Sequence, residues 1–97
     1  MPRVEFSPRA AQNLDELITS LSLPTDTRRR VRMSLRTLEA FPNLGRELAG
    51  RWTNFRAVLG PWRWMLIVYR IDDANDQVVV VTVQDARSSS AATSYGR

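Results

Sequence analysis

Residues 62–71 read Trp-Arg-Trp-Met-Leu-Ile-Val-Tyr-Arg-Ile, and residues 78–83 read Val-Val-Val-Val-Thr-Val. β-branched and aromatic side chains crowd a helix but fit a pleated strand. Apart from Arg63 and Arg70, the first run is apolar on both of its faces, so both need cover. Between the runs lies a polar turn, Asp72-Asp73-Ala74-Asn75-Asp76. The pattern predicts adjacent antiparallel strands, with residues 62–71 at the centre of a sheet covered on two sides.

The preceding residues supply cover for one side. Residues 3–6 read as a short strand with Val4 and Phe6 on one face. Ser7-Pro8 is a helix start, since Ser caps and Pro suits the first turn. Leu14, Leu17, Ile18 and Leu21 then recur at helical spacing until Leu23-Pro24 breaks the run. Thr25 or Asp26 caps a second helix, whose stripe is Val31, Leu35 and Leu38, closed by Phe41. Pro42 and Gly45 end it, and the short break between the helices predicts an antiparallel hairpin. Residues 55–59 read as a further strand, followed by a Gly60-Pro61 turn.

The predicted class is α+β: an N-terminal strand, a helical hairpin, then three antiparallel strands, with the helices on one face of a small sheet. The opposite face is left for functional residues or a partner. Residues 1–97 are expected to make one domain, with 86–97 a flexible polar tail.

Composition narrows the chemistry. All 14 basic residues are arginine, against 10 acidic ones, giving a net charge of +4. That balance calls for an anionic partner: nucleic acid, ribosome, acidic protein or membrane surface. There is no cysteine or histidine, which removes disulfides, thiolate metal sites and the usual neutral-pH base. No metal site or cofactor is expected. No apolar run is long enough to span a bilayer, and the start lacks the apolar segment of a signal peptide, so a cytoplasmic protein is expected.

Two sets of arginines stand out. Arg28, Arg32 and Arg36 are spaced four apart, which puts them on one helix face. Such a face serves either as a phosphate grip or simply as a solvated surface. Arg56, Arg63, Arg70 and Arg87 lie in or beside strands, where cations among apolar groups need partners. Arg63 and Arg70 are an odd number of residues apart, so on one regular strand they face opposite ways; Arg70 reads as half of a structural ion pair. Trp52, Trp62 and Trp64 can stack on bases or fill the core.

The order Leu48-Ala49-Gly50, Phe55-Arg56, Gly60-Pro61-Trp62-Arg63, then Asp72, the valine strand, Arg87 and Tyr95 resembles the RelE/ParE superfamily of bacterial toxins. That resemblance implies a toxin of a type II toxin-antitoxin pair with an acidic antitoxin as partner. RelE-like members cut messenger RNA on the ribosome, and the leading expectation is that this chain is such a ribosome-dependent endoribonuclease. In that case Arg56 would hold phosphate, Arg63 and Arg87 would stabilise the transition state, and Tyr95 would stack on or activate the nucleotide. Arg28, Arg32 and Arg36 would add RNA contacts. Trp62 stands where the family usually has Tyr, and the tyrosine after the central arginine falls on Leu66, or on Tyr69 after an insertion. No Lys, His or obvious carboxylate occupies the place of a proton acceptor; Asp85 either serves or is only an ion-pair partner of Arg87. The segment 40–46 equally resembles ParE-like members, which poison DNA gyrase and have no nuclease site. A third reading is a binding module that keeps only the fold.

Overall fold

The structure, a computed structural model, describes residues 2–88 together with 91 and 92. Among them, Met65–Asp72 (β4) is the middle of five strands in the order β1-β5-β4-β3-β2. The others are Arg3–Phe6 (β1), Arg46–Glu47 (β2), Arg56–Leu59 (β3) and Gln77–Asp85 (β5). β4 pairs antiparallel with β3 and with β5, and β1 lies parallel to β5 at one edge. The helices are Pro8–Ser20 (α1), Thr27–Ser34 (α2) and Thr37–Ala40 (α3).

Alternation along β4 divides the interior in two. Met65, Ile67 and Tyr69 point toward the helices, where they meet Leu14, Val31, Leu35 and Leu38. Each fully buried side chain of this kind contributes about 1.5–3 kcal/mol. In β5, Val80 pairs with Tyr69 and Thr82 with Val68, leaving Val81 as an extra residue. The shift changes the alternation, so Val78, Val80 and Val83 all join the helix-side core. Ser7 fastens the start of α1 to this spot: its N–H bonds the Val80 carbonyl, and its hydroxyl accepts from Ala10 as the helix cap.

The other face holds Ala57, Leu66 and Val68, with Leu48, Trp52 and Phe55 packed around them. Ala91 and Ala92 are buried there too. The chain therefore closes with its own residues much of the face the sequence leaves for a partner. Alanines in a polar tail carry no periodicity that announces this.

Three expectations need correction. The second helix ends at Ser34, whose hydroxyl bonds back to the Val31 carbonyl and draws the turn open. Phe41 is consequently 64% exposed instead of closing the stripe. Asp26 stands at the N-cap but makes no side-chain cap bond, pairing with Arg29 and Arg30 instead. Finally, β4 begins at Met65, since the turn after Gly60 consumes residues 60–64: Gly60 N–H bonds the Met65 carbonyl and Met65 N–H the Trp62 carbonyl.

Tyr69 ties the layers together. It is fully buried, and its hydroxyl donates to the Pro42 carbonyl at 2.6 Å while accepting from Gly45 N–H at 2.8 Å. Burial raises its pKa, so it remains a donor at neutral pH. A Cβ on Gly45 would sit 2.5 Å from that hydroxyl. Gly45→Ala should therefore cost about 1–3 kcal/mol by overpacking. Tyr69→Phe should cost a similar amount, about 1–3 kcal/mol, by orphaning two buried backbone groups. Denaturant midpoints against wild type check both.

Candidate functional site

The end of the sheet where β4 begins and β5 ends carries most of the expected site. Met65 pairs with Asp85, and one step further out the Ala86 N–H bonds the Trp64 carbonyl at 2.6 Å. Arg63 and Arg87 therefore lie on adjacent segments of one sheet end. Arg63 is exposed on its turn and has no ion-pair partner among the described residues.

Arg87 is engaged. Its Nε and Nη2 bond the two Asp85 oxygens at 2.9 and 2.8 Å, and its backbone N–H bonds Asp85 Oδ1 at 2.9 Å. These hydrogen bonds hold the Asp85 carboxyl down to about 2. A carboxylate held that low stays ionised and is a weak proton acceptor at neutral pH.

Arg87 also ends a column that sequence reasoning missed. Its guanidinium sits 5.1 Å from the Trp64 ring centroid. Trp64 stacks on Trp62 at 6.0 Å with planes 17° apart, and Arg30 lies 5.8 Å over Trp62. The outer cations are each held by a carboxylate, Asp26 for Arg30 and Asp85 for Arg87. The column ties α2 to the sheet end, each cation–ring contact adding about 0.5–1 kcal/mol at such exposed sites. The signal was Trp-x-Trp, which sets two rings on one side; no spacing pointed to Arg30 as the cap.

Arg56 lies elsewhere. It pairs across the sheet with Tyr69, roughly 13 Å along β4 from Met65 at strand rise. Its Nη1 bonds the carbonyls of Asn43 and Gly45 at 3.1 and 2.8 Å, and its Nη2 bonds Glu47 at 3.1 Å. Arg56 thus straps down a loop at the far end from Arg63 and Arg87. Arg70 pairs with Asp72 at 3.8 Å, in the local way its position implied.

The helical arginines separate. Arg28 pairs with Asp15 on α1. Arg32 lies over the Phe6 ring and, with Arg29, Arg36 and Met33, lines a groove of about 290 Å³ against β1. Tyr95 lies outside the described residues. Among the described residues, no cluster of carboxylates is placed to hold a metal ion, and no helix is long and apolar enough to cross a membrane.

The sequence model of one family matches residues 4–89; it is described as the ParE toxin of the type II toxin-antitoxin system, parDE. No curated protein matches the sequence. Solved structures share the fold. The toxin-antitoxin complex RelBE2 of Mycobacterium tuberculosis contains a chain 22% identical, with a TM-score of 0.63, covering 88% of this chain and 99% of that one. The intact RelBE complex of E. coli contains one 18% identical, also at 0.63, covering 91% and 100%. The isolated E. coli RelE toxin is 18% identical at 0.62, covering 93% of this chain and 89% of its own.

The Asp85–Arg87 pair has a defined pH dependence. Asp85 titrates below its ordinary 3.8 in the folded chain, so it stabilises the fold above about pH 4, and that stabilisation is lost as pH falls through about 2. Asp85→Asn should lower the melting temperature at pH 7, and the gap from wild type should close toward pH 2. A gap of equal size at both pH values would assign the effect to something other than ionisation.

Proposed function

The chain belongs to the ParE toxin family of type II toxin-antitoxin systems, and from that premise we propose that it poisons DNA gyrase by binding it, with an acidic antitoxin as its restraint. The observation carrying this choice is the Asp85–Arg87 clamp. A transition-state arginine must turn its donors toward charge developing on phosphate. The Arg87 donors instead meet Asp85, and one guanidinium face meets Trp64. Arg56, the expected phosphate contact, is strapped to a loop at the other end of β4. Arginine itself stays protonated and is no general base. Asp85, the acceptor the sequence offers a metal-independent nuclease, is thus taken up by Arg87, whereas a binding poison needs none.

The nuclease reading keeps one observation in its favour: Arg63 is exposed, without an ion-pair partner among the described residues, on the same sheet end as Arg87. There a ribose 2′-hydroxyl would attack the adjacent phosphate, with the arginines stabilising the charge and Tyr95 stacking on or activating the nucleotide. In that reading Arg32 and Arg36, with Arg28, would hold RNA on the ribosome.

The antitoxin reading draws on charge. A +4 chain with a basic groove beside an edge strand suits an acidic segment that folds as it binds. Both roles place the chain in the cytoplasm, where gyrase and ribosomes are.

Induction of the chain in growing bacteria separates the readings. We expect a DNA-damage response and trapped gyrase–DNA complexes, with messages intact. Arg63→Ala should leave toxicity nearly unchanged, because Arg63 has no ion-pair partner among the described residues to lose. A nuclease would instead lose about 10²-fold in message cleavage on losing one such donor. Cut messages with undisturbed gyrase would overturn the proposal.

A further inference from the structure

Phe41 and Leu44 are 64% and 61% exposed, more than the other large apolar side chains left at the surface. They flank one tight turn, Pro42–Leu44, in which the Leu44 N–H bonds the Phe41 carbonyl at 3.0 Å. The two exposed side chains thus stand three residues apart at the ends of one short hydrogen-bonded turn. An exposed aromatic beside an exposed leucine is costly to hydrate, and a free loop would fold them inward.

This loop is prevented from doing so. The Pro42 carbonyl and the Gly45 N–H are both bonded to the Tyr69 hydroxyl. The carbonyls of Asn43 and Gly45 are both bonded to Arg56. Four backbone groups within four residues are thus gripped by two side chains rooted in β3 and β4. Merely connecting a helix to an edge strand needs none of these bonds.

From this fastening we infer that Phe41 and Leu44 are the anchor by which the toxin docks on a folded protein target having an apolar pocket rimmed by carboxylates. A held loop loses little conformational entropy on binding, which favours affinity. An aromatic or aliphatic anchor seated in a pocket of the partner is what a protein–protein interface needs at its centre. The shape selects a folded partner. A disordered antitoxin brings its own anchors to a groove, while protruding side chains require a pocket on the other molecule. Charge sets the rim, since Arg46, two residues beyond Leu44, is exposed and has no ion-pair partner among the described residues. Leucine has no face on which a base could stack, which weighs against RNA.

The inference rests on the proposal that the target is a protein, and the experiment separates the two. Phe41→Ser/Leu44→Ser is compared with wild type and with Phe41→Trp/Leu44→Met, which keeps the patch apolar. Both side chains are exposed, so both variants should melt with wild type. Binding to purified gyrase and growth arrest on induction are measured, along with copurification with the product of a neighbouring antitoxin gene. The serine pair should weaken gyrase binding about 10-fold or more and relieve growth arrest, while antitoxin binding persists; the apolar pair should stay toxic. Tyr69→Phe should weaken target binding partway, by loosening the loop. Full toxicity in a folded serine variant would overturn the inference, as would loss of antitoxin binding with the target still bound. If wild-type toxin binds no gyrase but the serine variant still loses toxicity, the anchor stands and the gyrase reading falls.

Discussion

The phenol of Tyr69 is the point at which sheet, loop and helix end are joined. Its ring fills the helix-side core, and its hydroxyl reaches through to two backbone groups of the loop that follows α3. Removing water from a phenol is costly unless both its donor and its acceptor find partners, and here both do. Gly45 is required by the same contact, because any side chain there would occupy the space of the ring. Arg56, directly across from Tyr69, holds the other carbonyls of that loop. A core residue and a strand cation therefore fix a surface loop that on its own would have little to order it.

The charges follow a local rule that explains why so many arginines are tolerated around a small sheet. Arg70 pairs with Asp72 and Arg87 with Asp85, each two residues apart in sequence. On β4 that spacing sets Arg70 and Asp72 on one face, and the turn after β5 brings Arg87 back to Asp85, so each pair forms without distant help. Exposed pairs of this kind add little to stability, but they fix where each guanidinium points. Arg63 has no carboxylate two residues away, and it is the sheet-end arginine left open.

Most of the fold was legible because it rests on patterns of short period. The two-sided apolar run and the valine run could only be neighbouring strands, and Ser7-Pro8 marked the first helix. The rest depended on long-range contacts. β2 is two residues long and is defined by its pairing with β3. The second core was hidden because Ala91 and Ala92 have no periodicity. The start of β4 was misplaced because Trp62, Arg63 and Trp64 have strand-like composition, yet the Gly60 turn claims them. For the site, the sequence put Arg56, Arg63 and Arg87 in one group. Strand register separates Arg56 from the other two, and register is set by pairing rather than by composition.

The separation gives the two ends of β4 different physical characters. At one end the charges are largely answered from within, by Asp26 and Asp85, and the aromatic rings stack on each other. At the other, apolar groups are held out to water by buried hydrogen bonds. Ions largely screen attraction between exposed charges more than about 10 Å apart at 0.1 M salt but leave apolar burial untouched. On the proposed reading, an antitoxin drawn to the basic groove would then be felt most at low salt, and a target held at Phe41 and Leu44 almost equally at any salt. Restraint of the toxin cannot therefore rest on charge alone. The antitoxin must also bury apolar surface, and Val4, Phe6 and Met33 in the basic groove supply it.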